Sequence, residues 1–163
     1  MHRPLEEIQT APQGPQSQAV EPRAAPLTRR SVPYQMDQKF SIVHVVRQYA
    51  PSVGGLENAV RGLARVQRDA GHRVKIITLN RLFTAPETTL PDHDVIDGIE
   101  VVRIPFFGSS RYPIAASIKR WLDDQDIIHV HGVDFFFDYL AMSKPKSAIA
   151  QIASTHGGFF HTS

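Results

Sequence analysis

From residue 39 onward, short apolar runs alternate with segments whose apolar residues recur every three or four positions. The first run, residues 40–46 (FSIVHVV), is typical of a buried strand. Similar runs predict four more strands, at residues 73–79, 99–104, 126–130 and 148–154. Strands separated by helices predict an α/β fold, with a Rossmann-like, doubly wound parallel sheet and right-handed connections.

Residues 56–70 have the clearest helical period. The spacing predicts a solvated side that carries arginines and a core-facing side made of Leu56, Ala59, Val60, Leu63, Val66 and Ala70. Two further helices are predicted at residues 113–122 and 135–142. Residues 80–96, which contain two prolines, are predicted to be a loop.

The two ends of the chain differ from its middle. Residues 1–38 hold half of the 12 prolines and have no sustained period, so we predict a disordered tail, or a start of translation at Met36 instead. Residues 39–163 then form the folded domain. The sequence stops a few residues after the last predicted strand, where a doubly wound domain normally adds a covering helix. We therefore expect a domain that is incomplete at its carboxyl end, from a truncated chain or the first part of a larger protein.

The composition of the chain argues against several classes of function. Hydrophobic residues make up 42% and charged residues 21%, as in ordinary globular domains, and the net charge of +2 gives no sign of nucleic-acid binding. The absence of cysteine excludes disulfides and thiolate metal sites. Because no apolar run approaches the ~18 residues of a membrane span and no signal peptide is visible, we expect a cytoplasmic protein.

A glycine pair follows the first predicted strand and opens the first helix. Gly54 and Gly55 would let a ligand approach the backbone, while the unpaired amides of the helix start favour an anion. This pattern predicts a protein that handles a phosphate-bearing molecule. The alternative is a plain tight turn. A Gly-x-Gly-x-x-Gly fingerprint is missing, which argues against a nicotinamide or flavin site.

Histidines follow two other predicted strands. His131 comes directly after the fourth strand, and His156, with Gly157 and Gly158, follows the fifth. In a parallel sheet these strand ends meet at one edge, so we expect one shared site. His129 is more typical of a buried, hydrogen-bonded core histidine.

The histidines also raise the possibility of metal binding. A candidate ligand set consists of His129, His131, His156 and His161. No obvious carboxylate completes a familiar pattern, so no metal site is predicted.

Four segments resemble the N-terminal domain of family 4 glycosyltransferases, which have the GT-B fold. They are YAPSVGGLE (residues 49–57), AGHRV (70–74), DIIHVHG (126–132) and STHGG (154–158). Their order and spacing are similar to those of the family, and the resemblance extends over residues 40–163. The closing run THGGFFHT is similar to that of mannosyltransferases that act on lipid-linked sugars in exopolysaccharide assembly.

The resemblance implies a role for each candidate residue. Gly54 and Gly55 would contact the donor diphosphate, and His131 would lie near the transferred sugar as the catalytic histidine. The acceptor and sugar pocket would include Glu57, His156, Gly157 and Gly158. Glu57 would orient the glycine loop; the alternative is a first-turn acid that favours the helix dipole and pairs with Arg61.

The resemblance also implies a reaction. The complete enzyme would transfer a sugar from a nucleoside-diphosphate donor to a hydroxyl of a lipid-linked or polysaccharide acceptor, with retention of configuration. The donor is a co-substrate, and no other cofactor is expected. Peripheral contact with the inner face of the membrane, through the basic and aromatic helix around Trp121, is one interpretation; the alternative, which is favoured, is an ordinary amphipathic helix.

The donor-binding second domain of the GT-B fold is not found in these residues, so we expect the isolated chain to be inactive. Two other classes stay open at this point: a metal-dependent hydrolase that uses the histidines, and a non-catalytic Rossmann-type binding domain.

Overall fold

A computed structural model of the chain describes residues 38–143 and 149–156. The predictions for residues 1–37, and those for Gly157, Gly158 and His161, lie outside the described residues. In chain order, the elements are β1 (Ser41–Val46), α1 (Gly55–Asp69), β2 (Arg73–Leu79), β3 (Arg81–Leu82), β4 (Ala85–Thr89), β5 (His93–Ile96), β6 (Ile99–Ile104), β7 (Phe107–Gly108), β8 (Pro113–Ile114), a 3-10 helix (Ala116–Trp121), β9 (Ile127–His131), α2 (Phe135–Met142) and β10 (Ala150–Ser154).

A mostly parallel sheet forms the centre of the described region. Its order is β10-β9-β1-β2-β6-β5, and all neighbours are parallel except β5, which runs antiparallel to β6. The chain leaves β1 toward β2 on one side and later returns to place β9 on the other side. The order therefore reverses between β1 and β9, which is where open α/β sheets bind ligands. The predicted Rossmann-like α/β class is confirmed.

Two apolar layers cover the sheet. Val43 and Val45 of β1 belong to the layer that packs against α2 and the 3-10 helix. Val46 belongs to the other layer, where it packs with Val60 and Ala64 of α1. Because side chains alternate along a strand, His44 lies on the same face as Val46, the face that α1 covers.

The predicted core-facing side of α1 is partly wrong. Val60 is buried as predicted, and Ala64, which was not predicted, is buried too. Leu63 is 36% exposed, Val66 is 68% exposed, and Ala59 and Ala70 are also exposed. The helix meets the sheet along a narrower line that runs from Val60 through Ala64 to Gln67, at spacings of four and three residues. A polar residue therefore occupies the last position of the buried stripe.

The predicted loop at residues 80–96 contains strands. β3 and β4 pair as a small hairpin, and β5 pairs with β6 through the turn at Asp97 and Gly98. Both turn residues have positive φ, 52° and 70°, as a type I′ hairpin turn requires. The Asp-Gly turn was visible in the sequence, but β5 is short and exposed, so its apolar signal is weak.

The structure also differs from the prediction of a helix at residues 113–122. Pro113 and Ile114 pair with β7 as a short strand, and only residues 116–121 are helical, as a 3-10 helix. Pairing with β7 holds the first two residues extended, which delays the start of the helix. The strand at 99–104 and the helix at 135–142 have the predicted bounds.

Candidate functional site

The glycine turn connects β1 to α1 at the carboxyl edge of the sheet. Gly54 is the N-cap residue, with extended backbone, and Gly55 is the first residue of α1. No side chain caps this helix start in the part of the chain that the structure describes. A Cβ on Gly55 would meet nothing within 4 Å, so space around it is open to a ligand.

Glu57 folds back over this turn. A Cβ on Gly54 would overlap the Glu57 carboxylate. The same carboxylate accepts a hydrogen bond from the Ser52 hydroxyl at 3.0 Å. The absence of a side chain at Gly54 therefore leaves room for the Glu57 carboxylate over the turn, and an orienting role for Glu57 stays a prediction.

The expected pair of Glu57 with Arg61 does not form. Arg61 donates instead to both carboxylate oxygens of Asp97, at 2.6 and 3.0 Å. The reason is geometric: Glu57 points back toward Ser52, away from the next helical turn. Asp97, in the β5–β6 turn, offers the bidentate partner.

His131 ends β9 at the same edge of the sheet. In the register of the parallel strands it lies between Val46 of β1 and Ser154 of β10. The next residue, Gly132, has a φ of 99° and donates its amide to the Ser154 carbonyl at 2.8 Å. This left-handed glycine lets the chain turn directly after the histidine.

A row of hydrogen-bonded side chains runs from α1 to the carboxyl edge. Gln67 Oε1 lies 2.6 Å from His44 Nε2. His44 Nδ1 lies 2.9 Å from His131 Nε2. His131 Nδ1 lies 2.8 Å from His156 Nε2. We call these four residues the histidine row.

The structure brings His131 and His156 together, as expected from the strand ends. His131 is only 1% exposed and both of its ring nitrogens are engaged within the protein, whereas His156 is exposed. Direct contact between His131 and the transferred sugar stays a prediction. In this arrangement the solvent-facing member of the pair is His156.

His129 stands beside the row as a buried histidine. Its Nε2 lies 2.8 Å from Ser154 Oγ, and its ring stacks on that of His131 with centroids 4.1 Å apart. The prediction of a buried, hydrogen-bonded core histidine is confirmed.

Burial keeps these rings neutral. It lowers the pKa of His44 to about 4 and that of His131 to about 3. The pKa of His129 is also lowered, first by burial and then by His156. At neutral pH these side chains therefore act as hydrogen-bonding groups and not as cations.

The geometry of the rings limits metal binding. Ring nitrogens of His44, His129 and His131 lie within 4.8 Å of one another. A histidine binds an ion in the plane of its ring, at about 2.0–2.1 Å for zinc. The rings of His129 and His131 are stacked with planes only 30° apart. Such stacked planes do not meet near both nitrogens, so this pair does not suit a shared ion.

Arg47 and Asp134 link two strand ends beside the row. Arg47 follows β1, and its Nε lies 2.9 Å from a carboxylate oxygen of Asp134, which is buried. The other carboxylate oxygen accepts the Phe136 amide at 2.8 Å and so caps α2. Burial raises the pKa of the Asp134 carboxyl, although Arg47 and the backbone amides oppose it. This pair fixes the loop that follows His131.

Sequence reasoning missed His44 and Gln67. His44 is a polar residue in the middle of an apolar strand, and Gln67 is a polar residue on the buried stripe of α1. Each is a visible exception to the hydrophobic pattern. Only the fold places the two exceptions next to each other and next to His131.

Among residues 38–143 and 149–156, no helix is both long and apolar enough to cross a bilayer.

Comparison with known proteins agrees with the fold and the motifs. The profile of Glycosyltransferase Family 4 matches residues 53–163. A GDP-mannose:cellobiosyl-diphosphopolyprenol alpha-mannosyltransferase of Xanthomonas campestris is 48% identical over 124 residues, which are 76% of this chain and 33% of that protein. The protein of the same name from Komagataeibacter xylinus is 46% identical over 127 residues, 77% of this chain and 32% of its own length.

A phosphatidyl-myo-inositol mannosyltransferase of Mycolicibacterium smegmatis is 34% identical over 117 residues, 68% of this chain and 28% of its own. The chain thus spans about a third of the length of the curated relatives that it matches. The glycine turn, the histidine at the end of β9, the Rossmann-like sheet and the matching profile lead to one conclusion: this chain belongs to glycosyltransferase family 4, a family with the GT-B fold.

Proposed function

We propose that this chain is the acceptor-side portion of a retaining mannosyltransferase that uses GDP-mannose and a lipid-linked acceptor. The observation that carries the proposal is the open helix start at Gly55, at the same sheet edge as His131 and His156. The names of the relatives support the choice of donor and acceptor.

The start of α1 suits the diphosphate of the donor. The amides of its first turn carry partial positive charge, and no side chain within the described residues occupies the space beside Gly55. Glu57 and Ser52 hold the turn rigid through their hydrogen bond. The diphosphate gains negative charge as the sugar leaves, so fixed amides at this position would stabilise the transition state more than the bound donor.

The histidines suit the sugar hydroxyls. Because His131 is buried and its pKa is lowered to about 3, it serves as a neutral hydrogen-bonding group and not as a proton-accepting base for each turnover. We propose that His131 and His156 act as one unit that orients hydroxyl groups at the reaction centre.

Retention follows if the acceptor attacks from the face that the diphosphate leaves. The bond between the anomeric carbon and the phosphate oxygen breaks, and the acceptor oxygen bonds to that carbon on the same face. The acceptor proton passes to the leaving phosphate oxygen. This route needs no separate cofactor and no strong protein base, so the described residues are called on only to bind and to orient.

We also propose that the acceptor brings the enzyme to the inner face of the membrane. A diphosphopolyprenol substrate is anchored in lipid, and the protein would then act as a peripheral enzyme on the cytoplasmic side. A further part of the proposal is that this chain alone does not transfer sugar, because donor binding in a GT-B enzyme needs a second domain across the cleft.

The test uses the longest natural protein that contains this chain. It is incubated with GDP-mannose labelled in the sugar and with cellobiosyl-diphosphopolyprenol. We expect labelled mannose in the lipid fraction, and an α-linked product by NMR of the anomeric proton. A β-linked product would overturn retention, and the absence of transfer would overturn the substrate assignment.

Two controls make the assay specific. UDP-glucose and GDP-glucose in place of GDP-mannose test the donor, and free cellobiose in place of the lipid-linked form tests the acceptor. The 163-residue chain is assayed in parallel. Transfer by that chain alone would contradict the proposal that it is inactive.

A further inference from the structure

Gln67 determines which ring nitrogens of the histidine row donate a hydrogen bond and which accept one. Gln67 Oε1 is a carbonyl oxygen and can only accept a hydrogen bond, so His44 must donate from Nε2. A neutral imidazole carries one N–H, which leaves His44 Nδ1 as an acceptor. The row therefore begins with a fixed tautomer at the ring that is 0% exposed.

The same reasoning applies to His131 and then to His156. Because His44 Nδ1 accepts, His131 must donate from Nε2, which leaves His131 Nδ1 as an acceptor. His156 must then donate from Nε2 to His131. The last atom of the row, His156 Nδ1, is left with an unshared electron pair. No partner for this nitrogen is found among residues 38–143 and 149–156.

His156 is held in a conformation that non-glycine residues rarely adopt. Its φ is 48°, in the left-handed region, and it lies two residues beyond the end of β10. Such a conformation costs energy unless its surroundings support it. The hydrogen bond to buried His131 supplies that support and fixes the direction in which the exposed ring edge points.

Burial keeps the two inner rings, His44 and His131, neutral at neutral pH. His44 and His131 have strongly lowered pKa values, so a proton that enters at His156 is not passed inward. The row therefore orients the ring of His156 and does not relay protons.

We propose that Gln67 and His44 are positioning residues that act through His131 to present His156 Nδ1 as a hydrogen-bond acceptor for a sugar hydroxyl at the carboxyl edge of the sheet. The ligand class is an uncharged hydroxyl donor, as on a hexose. This inference rests on the proposed function for the identity of the sugar, but the tautomers themselves do not depend on it.

The first test measures the tautomers directly. The longest natural protein that contains this chain is labelled with ¹⁵N in its histidine rings, and the rings of His44, His131 and His156 are assigned from single substitutions. Long-range ¹H–¹⁵N spectra at neutral pH distinguish protonated from unprotonated ring nitrogens. We expect all three rings to be protonated on Nε2. Protonation of His131 or His156 on Nδ1 would overturn the proposal.

A matched pair of variants tests the role of Gln67. Gln67→Glu keeps an acceptor of the same length, so the wild-type tautomers should persist at His131 and His156. Gln67→Met removes the acceptor with little change in shape, and both rings should then become mixtures of two tautomers. Gln67 is half-buried on α1, so neither change should prevent folding. Wild-type tautomers in Gln67→Met would show that Gln67 does not set the direction.

Measurements of KM in the two Gln67 variants then test whether the row contacts the substrate. Loss of one hydrogen bond to a sugar hydroxyl should raise KM for GDP-mannose or for the acceptor about tenfold in Gln67→Met. Gln67→Glu keeps an acceptor oxygen at this position, so it should raise KM less than Gln67→Met does. Equal kinetics in the two variants, with altered tautomers in Gln67→Met, would overturn the contact with sugar. If the wild-type protein transfers no mannose, the proposed function fails while the tautomer result still stands.

Discussion

Both edges of the sheet carry polar side chains, but these side chains differ in charge and burial between the two edges. At the carboxyl edge, the histidine row consists of side chains that are hydrogen-bonded to one another, and its inner rings, His44 and His131, are neutral and buried. At the amino edge, a cavity of about 300 Å³ is lined mainly by charged residues: Arg73, Lys75, Glu100, Arg120 and Asp124, together with Trp121. The lining of this cavity therefore carries more formal charge than the histidine row.

Charge and a concave surface are therefore not enough to identify the functional site. Lys75 pairs with Glu100 at 3.3 Å and also lies over the Trp121 ring at 5.4 Å. Such pairs are partly solvated and contribute little. The carboxyl edge instead offers free helix amides and side chains whose orientation is fixed before a ligand arrives. That preorganisation is what binding and catalysis need.

The largest effect should come from Gly55→Val in the longest natural protein. A valine side chain at this position would fill the open space beside the helix start and block the diphosphate. We expect mannosyl transfer to fall at least about 100-fold, in keeping with the loss of a transition-state contact. The assay is transfer from labelled GDP-mannose, with thermal unfolding measured alongside.

Gly62→Val is the matched control. Gly62 lies on the same helix, and a Cβ there also meets nothing within 4 Å. Both variants should keep the wild-type melting temperature to within a few degrees, and only Gly55→Val should lose transfer. Unchanged transfer in Gly55→Val would remove the glycine turn from the mechanism.

An intermediate effect should appear in the dependence of stability on pH. The folded-state pKa values of His44 and His131, about 4 and about 3, lie below the ordinary value of 6.5. Between these values the unfolded chain binds more protons than the folded chain. The stability that these rings contribute is therefore fully present above pH 6.5 and is lost as the pH falls toward 4 for His44 and toward 3 for His131, on the order of several kcal/mol in total.

Urea unfolding between pH 7 and pH 5 measures this slope. His44→Gln removes one buried titrating ring and keeps a polar side chain, so its stability should fall less steeply with acid than that of wild type. A flat wild-type profile, or an equal slope in both proteins, would contradict the assignment of buried neutral histidines.

The smallest effect should come from the amino edge. Lys75→Met removes the ion pair with Glu100 and keeps most of the packing on Trp121, so unfolding free energy should change by less than about 0.5 kcal/mol. Transfer should stay within about twofold of wild type. A tenfold loss would place the amino edge in the functional site and would reverse the comparison between the two edges.

Much of the fold could be predicted because it depends on local patterns. The strand at residues 73–79 and the helix at residues 135–142 were predicted with their observed bounds, since both are strongly apolar. The segment at 80–96 was mistaken for a loop because β5 has a weak apolar signal and is defined by its pairing with β6. A sequence pattern does not report such pairing.

The candidate site, like the fold, could be predicted from the sequence only in part. The positions of Gly54, Gly55, His131 and His156 at strand ends could be predicted, because parallel strands bring their carboxyl ends to one edge. The exposure of Leu63 and Val66 could not, because it depends on how narrowly α1 meets the sheet.

Local patterns in the sequence were enough to predict the five parallel strands, the glycine turn that opens α1 and the family of the chain. The row formed by Gln67, His44, His131 and His156 becomes visible only in the folded domain. These residues come from α1, β1, β9 and the end of β10, and the separations of 23, 87 and 25 residues along the chain leave no periodic signal. Hydrogen bonds between side chains depend on packing across the sheet, and that packing exists only once the strands are in register.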